Sequence, residues 1–181
     1  IRAFKLAFAS MPKAKLVLKV SRAINYPEEI KLLRDAIDGA NIHLDISEMT
    51  REKVTALMNS CDCYVSLHRA EGLGLTIAEA MLLGKPVIAT AYSGNLDFMD
   101  DNTSLLVKYD RVELDQDYLP YQKGWHWAAP DEKDAAGKMR WVYENPAPAK
   151  LIGDAAKLKL NDLLSPKRAG ERMIARLDSF Q

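Results

Sequence analysis

Ser66–Thr90 reads SLHRAEGLGLTIAEAMLLGKPVIAT: a strand end, a glycine-containing loop, a short helix and a second strand. Two short apolar runs, Cys63–Leu67 and Val87–Thr90, mark the strands. Between them, Ile77, Ala80 and Met81 recur at helical spacing over Thr76–Leu83 and form a core-facing stripe. Gly84 followed by Pro86 ends that helix, because glycine accepts the left-handed turn of a helix end and proline has no amide to extend it. Strand, crossover helix and strand in succession specify a parallel pair.

The same stretch carries chemistry. Gly72 and Gly74 give the loop two positions where the backbone can take unusual dihedrals or approach a ligand without a Cβ in the way. A helix opening at Thr76 leaves its first amides without intrahelical partners, at the positive end of the helix dipole, where a phosphate is favoured. In a parallel sheet this loop lies beyond a strand's carboxyl end, where ligands of such folds bind. Glu71 and Glu79 flank it with seven residues between them. Carboxylates repel a pyrophosphate but accept hydrogen bonds from adjacent sugar or ribose hydroxyls. For Glu79 a second reading stands beside that one: Thr76-Ile77-Ala78-Glu79 fits a capping box, with Glu79 reaching back to the Thr76 amide. For Glu71 the alternative is a solvated loop acid.

Outward from this unit the alternation continues. Leu16–Val20, Ile42–Ile46 and Leu105–Val107 read as further strands, and Pro27–Ala40, Thr50–Ser60 and Gly94–Asp100 as helices. In Ile42–Ile46 apolar residues alternate with His43 and Asp45, which places that strand near the sheet border. Residues 108–130 break the pattern with Asp, Tyr, Pro and Trp and read as a long functional loop, with Trp125, His126 and Trp127 pinning it to the sheet. Helical patterns resume at Asp131–Glu144, Ala147–Leu164 and Pro166–Phe180. The expected fold is α/β: a Rossmann-like, doubly wound parallel sheet with helices on both faces and a helical C-terminal segment, in one domain over residues 1–181.

Composition narrows the function. Basic and acidic residues balance at 25 each, so no global field recruits nucleic acid or an anionic membrane. No apolar run approaches the roughly 18 residues of a membrane span, and a cytoplasmic setting is expected. Cys61 and Cys63 are too close for an unstrained disulfide and lack the further spacing of a zinc site, so they read as structural thiols and no metal is expected. Ile1 leads straight into an apolar-periodic stretch, which reads as a cut inside a larger protein.

EGLGLTIAEAMLLGKPVIAT, residues 71–90, resembles the nucleotide-sugar motif of the family-four retaining glycosyltransferases of GT-B fold. The similarity extends into AYSGNLDFM, residues 91–99, which resembles a bacterial subset acting on polysaccharide and O-antigen chains. That resemblance implies a donor-binding half whose substrate is a nucleoside diphosphate-sugar, with no further cofactor. It implies an N-terminal acceptor domain outside this chain, a glycan or lipid-linked acceptor, and a peripheral place at the inner membrane for the full protein. Glu71 is then the catalytic residue beside the donor sugar, Gly72 and Gly74 shape the loop, the amides of Gly74, Leu75 and Thr76 face the diphosphate, and Glu79 contacts the ribose. His68, beside Arg69 at the strand end, is a candidate donor contact, as are the amides of Ser93, Gly94 and Asn95 at the next strand-to-helix turn.

Departures from the family pattern carry equal weight. The family's first strand ends in a Gly-Arg turn followed by a lysine, and that basic pair neutralises the pyrophosphate; neither is present, and the strand's place would be between Leu16–Val20 and Cys63–Leu67. Lys19 and Arg22 are candidates for the missing charge. A dinucleotide-binding Rossmann domain fits poorly, since Ile77 stands where its third glycine packs helix on strand. A nucleotide-sugar epimerase and a non-catalytic binding module remain as alternatives.

Overall fold

The computed structural model describes residues 1–180. Five strands run parallel in two groups. β1 (Leu16–Lys19) pairs with β2 (Ile42–Asp45), Leu16 opposite Ile42, and β4 (Val87–Thr90) lies between β3 (Tyr64–Ser66) and β5 (Leu105–Val107), Val65 opposite Ile88 and Ile88 opposite Leu105. In this two-stranded pair both strands are edges, and in β2 it is the polar His43 that is exposed. β1 and β3 are not paired with each other, so the two groups do not close into one hydrogen-bonded sheet.

The strands sort their side chains between two layers. Ile88 and Val107 join Phe4 and Ala7 of α1 (Arg2–Phe8) and Ala135 and Met139 of α5 (Glu132–Glu144) in one core, against which Leu16, Ile42 and Val65 also pack. Val87 and Ala89 turn the other way, onto Ile77 and Met81 of α4 (Leu75–Leu82), Met58 of α3 (Arg51–Ser60) and Leu160 of α6 (Pro146–Leu163). β4 is buried on both faces, as its unbroken apolar run demands. The apolar opening of the chain forms α1. Proline stands at the start of α6, α7 (Pro166–Asp178) and α2 (Pro27–Ile37), where its missing amide costs nothing.

Three sequence expectations change. Residues 94–100 do not form a full helix: only Gly94–Asp97 make a 3₁₀ turn, because Asn95 is drawn into the interior, where its Nδ2 donates to Thr90 O at 3.1 Å. Residues 108–130 are not structureless, since β6 (Tyr109–Glu113) and β7 (His126–Pro130) form an antiparallel hairpin. β6 is exposed along its whole length, so its sequence shows no apolar alternation to announce a strand. The hairpin is anchored on the β3 loop by Ala128 N donating to Arg69 O at 2.8 Å and by the Arg69 guanidinium 4.8 Å over the Trp127 ring. Finally, α4 begins one residue earlier than its pattern indicated, and its N-cap is Gly74, not Thr76.

Candidate nucleotide-sugar site

Two loops leave the carboxyl ends of neighbouring strands β3 and β4, and backbone contacts lock them together. Thr90 Oγ1 donates to His68 O at 2.7 Å, and Ser93 Oγ to Glu71 O at 2.6 Å. The Gly94 amide reaches the same Glu71 oxygen at 3.3 Å. A Cβ on Gly94 would stand 1.9 Å from Gly72 O, so only glycine permits this approach.

His68 belongs to the same lock. Its Nε2 lies 2.9 Å from Tyr92 O, which can only accept, so Nε2 carries the proton and Nδ1 accepts from Ser66 Oγ at 3.1 Å. Both ring nitrogens are therefore committed within the chain, and the residue braces one loop against the other.

At the mouth of α4, Gly74 sits at φ 89°, ψ 48°, a left-handed conformation that favours glycine. Gly72 has no such constraint of its own, for a Cβ there would meet nothing within 4 Å. The Gly74 amide donates to Glu71 Oε1 at 3.0 Å. Glu71 thus acts as a side-chain bridge across its own loop, and the Gly74 amide is occupied. The first helical bond runs from Ala78 N to Gly74 O at 2.9 Å, which leaves the Leu75, Thr76 and Ile77 amides ahead of it at the positive end of the helix. The helix has no acidic residue in its own first turn, so the negative charge set against that end is the Glu71 carboxylate on the Gly74 amide. Thr76 Oγ1 accepts from the Tyr64 hydroxyl at 2.9 Å, so the threonine proton is free to be given to an anion.

Glu79 does not close a capping box. With Gly74 as N-cap it lies two residues beyond the third helical position that a capping box uses, and its Oε1 instead meets Arg51 Nη2 at 2.9 Å. This pair brings a guanidinium from the start of α3 to α4, with the arginine side chain 82% exposed.

Of the residues singled out from the sequence, His68, Glu71, Gly72, Gly74, Ser93 and Gly94 are joined by contacts within and between the two loops, with Leu75 and Thr76 at the helix start that follows Gly74. Asn95 is fully buried, so its side chain supports the loop from below. Lys19 is engaged locally: its Nζ donates to Ser47 O at 2.5 Å and Val20 O at 3.1 Å and lies 3.8 Å from Asp45. Tyr64 and Arg51 escaped the sequence reading, since a tyrosine in a strand and an arginine opening a helix carry no local signal of the partners they meet.

Comparison with known proteins sets this arrangement in a family. The family described as "Glycosyl transferases group 1" matches residues 1–159. The trehalose synthase of Thermococcus litoralis is 25% identical over 177 residues, covering 94% of this chain and 38% of that protein, and the trehalose synthase of Pyrococcus horikoshii is 25% identical over 163 residues, 90% of this chain and 32% of its own. The chain therefore spans well under half the length of these relatives. In fold it is similar to Anabaena Alr3699/HepE in complex with UDP and glucose, at TM-score 0.72 and 16% identity over 98% of this chain and 44% of that one. It is likewise similar to the sucrose-phosphate synthase of Thermosynechococcus elongatus, at TM-score 0.68 and 18% identity over 99% and 42% of the two chains. By the family match over most of its length, the chain belongs to the group 1 glycosyl transferases.

Proposed function

We propose that this chain is the donor-binding half of a retaining glycosyltransferase that moves a sugar from a nucleoside diphosphate-sugar to a hydroxyl acceptor, in bacterial polysaccharide or O-antigen synthesis. The observation that carries the reading is the mouth of α4: three amides without helical partners, a threonine hydroxyl and a carboxylate on either side, in a chain of this family. The diphosphate takes the Leu75 and Thr76 amides and the Thr76 hydroxyl. Glu71 faces the sugar and Glu79 the ribose hydroxyls.

The chemistry follows from charge. As the bond between the anomeric carbon and the diphosphate oxygen breaks, negative charge grows on the leaving group, and fixed dipoles aimed at it stabilise the transition state more than the ground state. The acceptor oxygen forms the new bond to the anomeric carbon and gives up its proton to the departing diphosphate oxygen, which carries away the bonding electron pair. The acceptor half comes from the rest of the protein, so residues 1–181 alone transfer no sugar. A calorimetric screen of the intact protein against UDP, GDP and their sugars tests the reading. Saturable binding of one nucleotide, weakened in Glu79→Gln, is expected; absence of binding to every nucleotide and sugar donor would refute it.

A further inference from the structure

Ser93 lies at φ 80°, ψ −156°, in a region of backbone space that is essentially reserved for glycine. A residue with a Cβ persists there only when its surroundings over-determine it, and such strain gathers where function requires a fixed geometry. Ser93 supplies what glycine cannot. Its hydroxyl donates to the main-chain oxygen of Glu71 at 2.6 Å, and the next residue, Gly94, adds its amide to that oxygen at 3.3 Å while Gly72 O fills the place a Cβ on Gly94 would take.

The two ends of Glu71 are therefore held separately. Its carbonyl is gripped from the β4 loop, and its carboxylate is tied to the Gly74 amide at 3.0 Å. We propose that Ser93 is a positioning residue, held in a strained conformation so that its hydroxyl clamps the Glu71 peptide and aims the Glu71 carboxylate at the donor sugar. The inference rests on the reading of Glu71 given above and deepens it. A serine kept only for stability would have no reason to occupy a glycine conformation, because glycine there removes the strain.

The test uses the intact protein and four forms besides the parent: Ser93→Gly, Ser93→Ala, Glu71→Gln and the double variant Ser93→Gly/Glu71→Gln. Melting temperature, affinity for UDP or GDP, and kcat and KM for the sugar donor selected in the screen are measured on each. Ser93→Gly, which suits the observed backbone, should melt at or above the parental temperature and bind nucleotide like the parent, yet lose about 10- to 100-fold in kcat through misplacement of Glu71. Ser93→Ala keeps the strain without the hydroxyl and should lose both kcat and melting temperature. In the Glu71→Gln background, Ser93→Gly should cost nothing further, since residues acting through one group are not additive. Parental kcat in Ser93→Gly while Glu71→Gln is impaired overturns the clamp alone, as do losses that multiply in the double variant. Parental turnover in Glu71→Gln overturns the reading of Glu71 itself.

Discussion

Arg51 at the start of α3 and Glu79 on α4 form an ion pair at 2.9 Å, and this contact, not a helix cap, is what occupies the second glutamate of the motif. A pair this exposed contributes at most about 1 kcal/mol to stability, because water and salt screen it. Its interest is therefore in what Glu79 does when a ligand arrives.

If Glu79 takes the ribose hydroxyls, Glu79→Gln in the intact protein weakens bare nucleotide and nucleotide-sugar alike, since both carry the ribose. Loss of a hydrogen bond to a charged group costs about 1.5–3 kcal/mol, which is a factor of roughly 10 to 150 in affinity. Arg51→Ala releases Glu79 and should leave nucleotide affinity at the parental level or above it, with a change in stability below about 1 kcal/mol. Titration calorimetry and thermal melting on the two variants separate these effects. A fall in nucleotide affinity in Arg51→Ala would show that the guanidinium itself meets the nucleotide.

How much of this was legible in the sequence depends on the range of the contact. The parallel pairing of β3 with β4 and the buried face of α4 followed from Ile77, Met81 and Val87–Thr90, where burial writes itself into local periodicity. The hairpin at β6 and β7 did not, since an exposed strand held by its backbone leaves no apolar trace. Glu71 and Glu79 stood out by spacing. Their partners, the Gly74 amide and Arg51, depend on a glycine cap and on a neighbouring helix, which the linear pattern of Thr76 and Glu79 misrepresented. Ser93 could be recognised as a turn residue from its neighbours, but its strain is a property of the folded backbone.

Away from the loops, Gly153 of α6 packs directly on the turn that ends α4. A Cβ there would fall 2.3 Å from Gly84 O, a backbone atom that cannot rotate aside. Gly153→Ala should therefore destabilise the fold by about 1–3 kcal/mol as α6 is pushed outward, even though alanine is the better helix former. Urea denaturation measures the change; a variant as stable as the parent would mean that the two helices separate without cost.

Burial pushes the Cys63 thiol up to about 12 from an ordinary 9.0, with Asp62 and Cys61 adding to the effect. Because the folded state favours the neutral thiol, its contribution to stability is complete below pH 9.0 and is lost as pH rises from there towards 12. At pH 8 the thiolate fraction should be about a thousandfold smaller in the folded than in the unfolded protein, and alkylation correspondingly slower. Mass spectrometry after iodoacetamide treatment, with and without urea, follows the residue. Equal alkylation rates in both states would contradict the raised pKa of this half-buried thiol.

If Glu71 faces the donor sugar, its two carboxylate oxygens divide the work, and a substitution that spares one of them isolates its part in turnover. Oε1 holds the Gly74 amide at 3.0 Å. Glutamine keeps a carbonyl oxygen for that amide, so the loop and the mouth of α4 should survive in Glu71→Gln, with the melting temperature unchanged. What disappears is the negative charge and the second acceptor oxygen offered to the sugar. Bare nucleotide has no sugar to feel the loss, so its affinity should stay at the parental value, whereas kcat for the intact protein should fall by at least about tenfold, the signature of an interaction made on the way to the transition state. Glu71→Ala removes the loop bridge as well and should add a loss of stability of about 0.5–1.5 kcal/mol. A drop in nucleotide affinity in Glu71→Gln as large as in Glu79→Gln would place both carboxylates on the nucleotide and remove the division between sugar and ribose on which the proposed function rests.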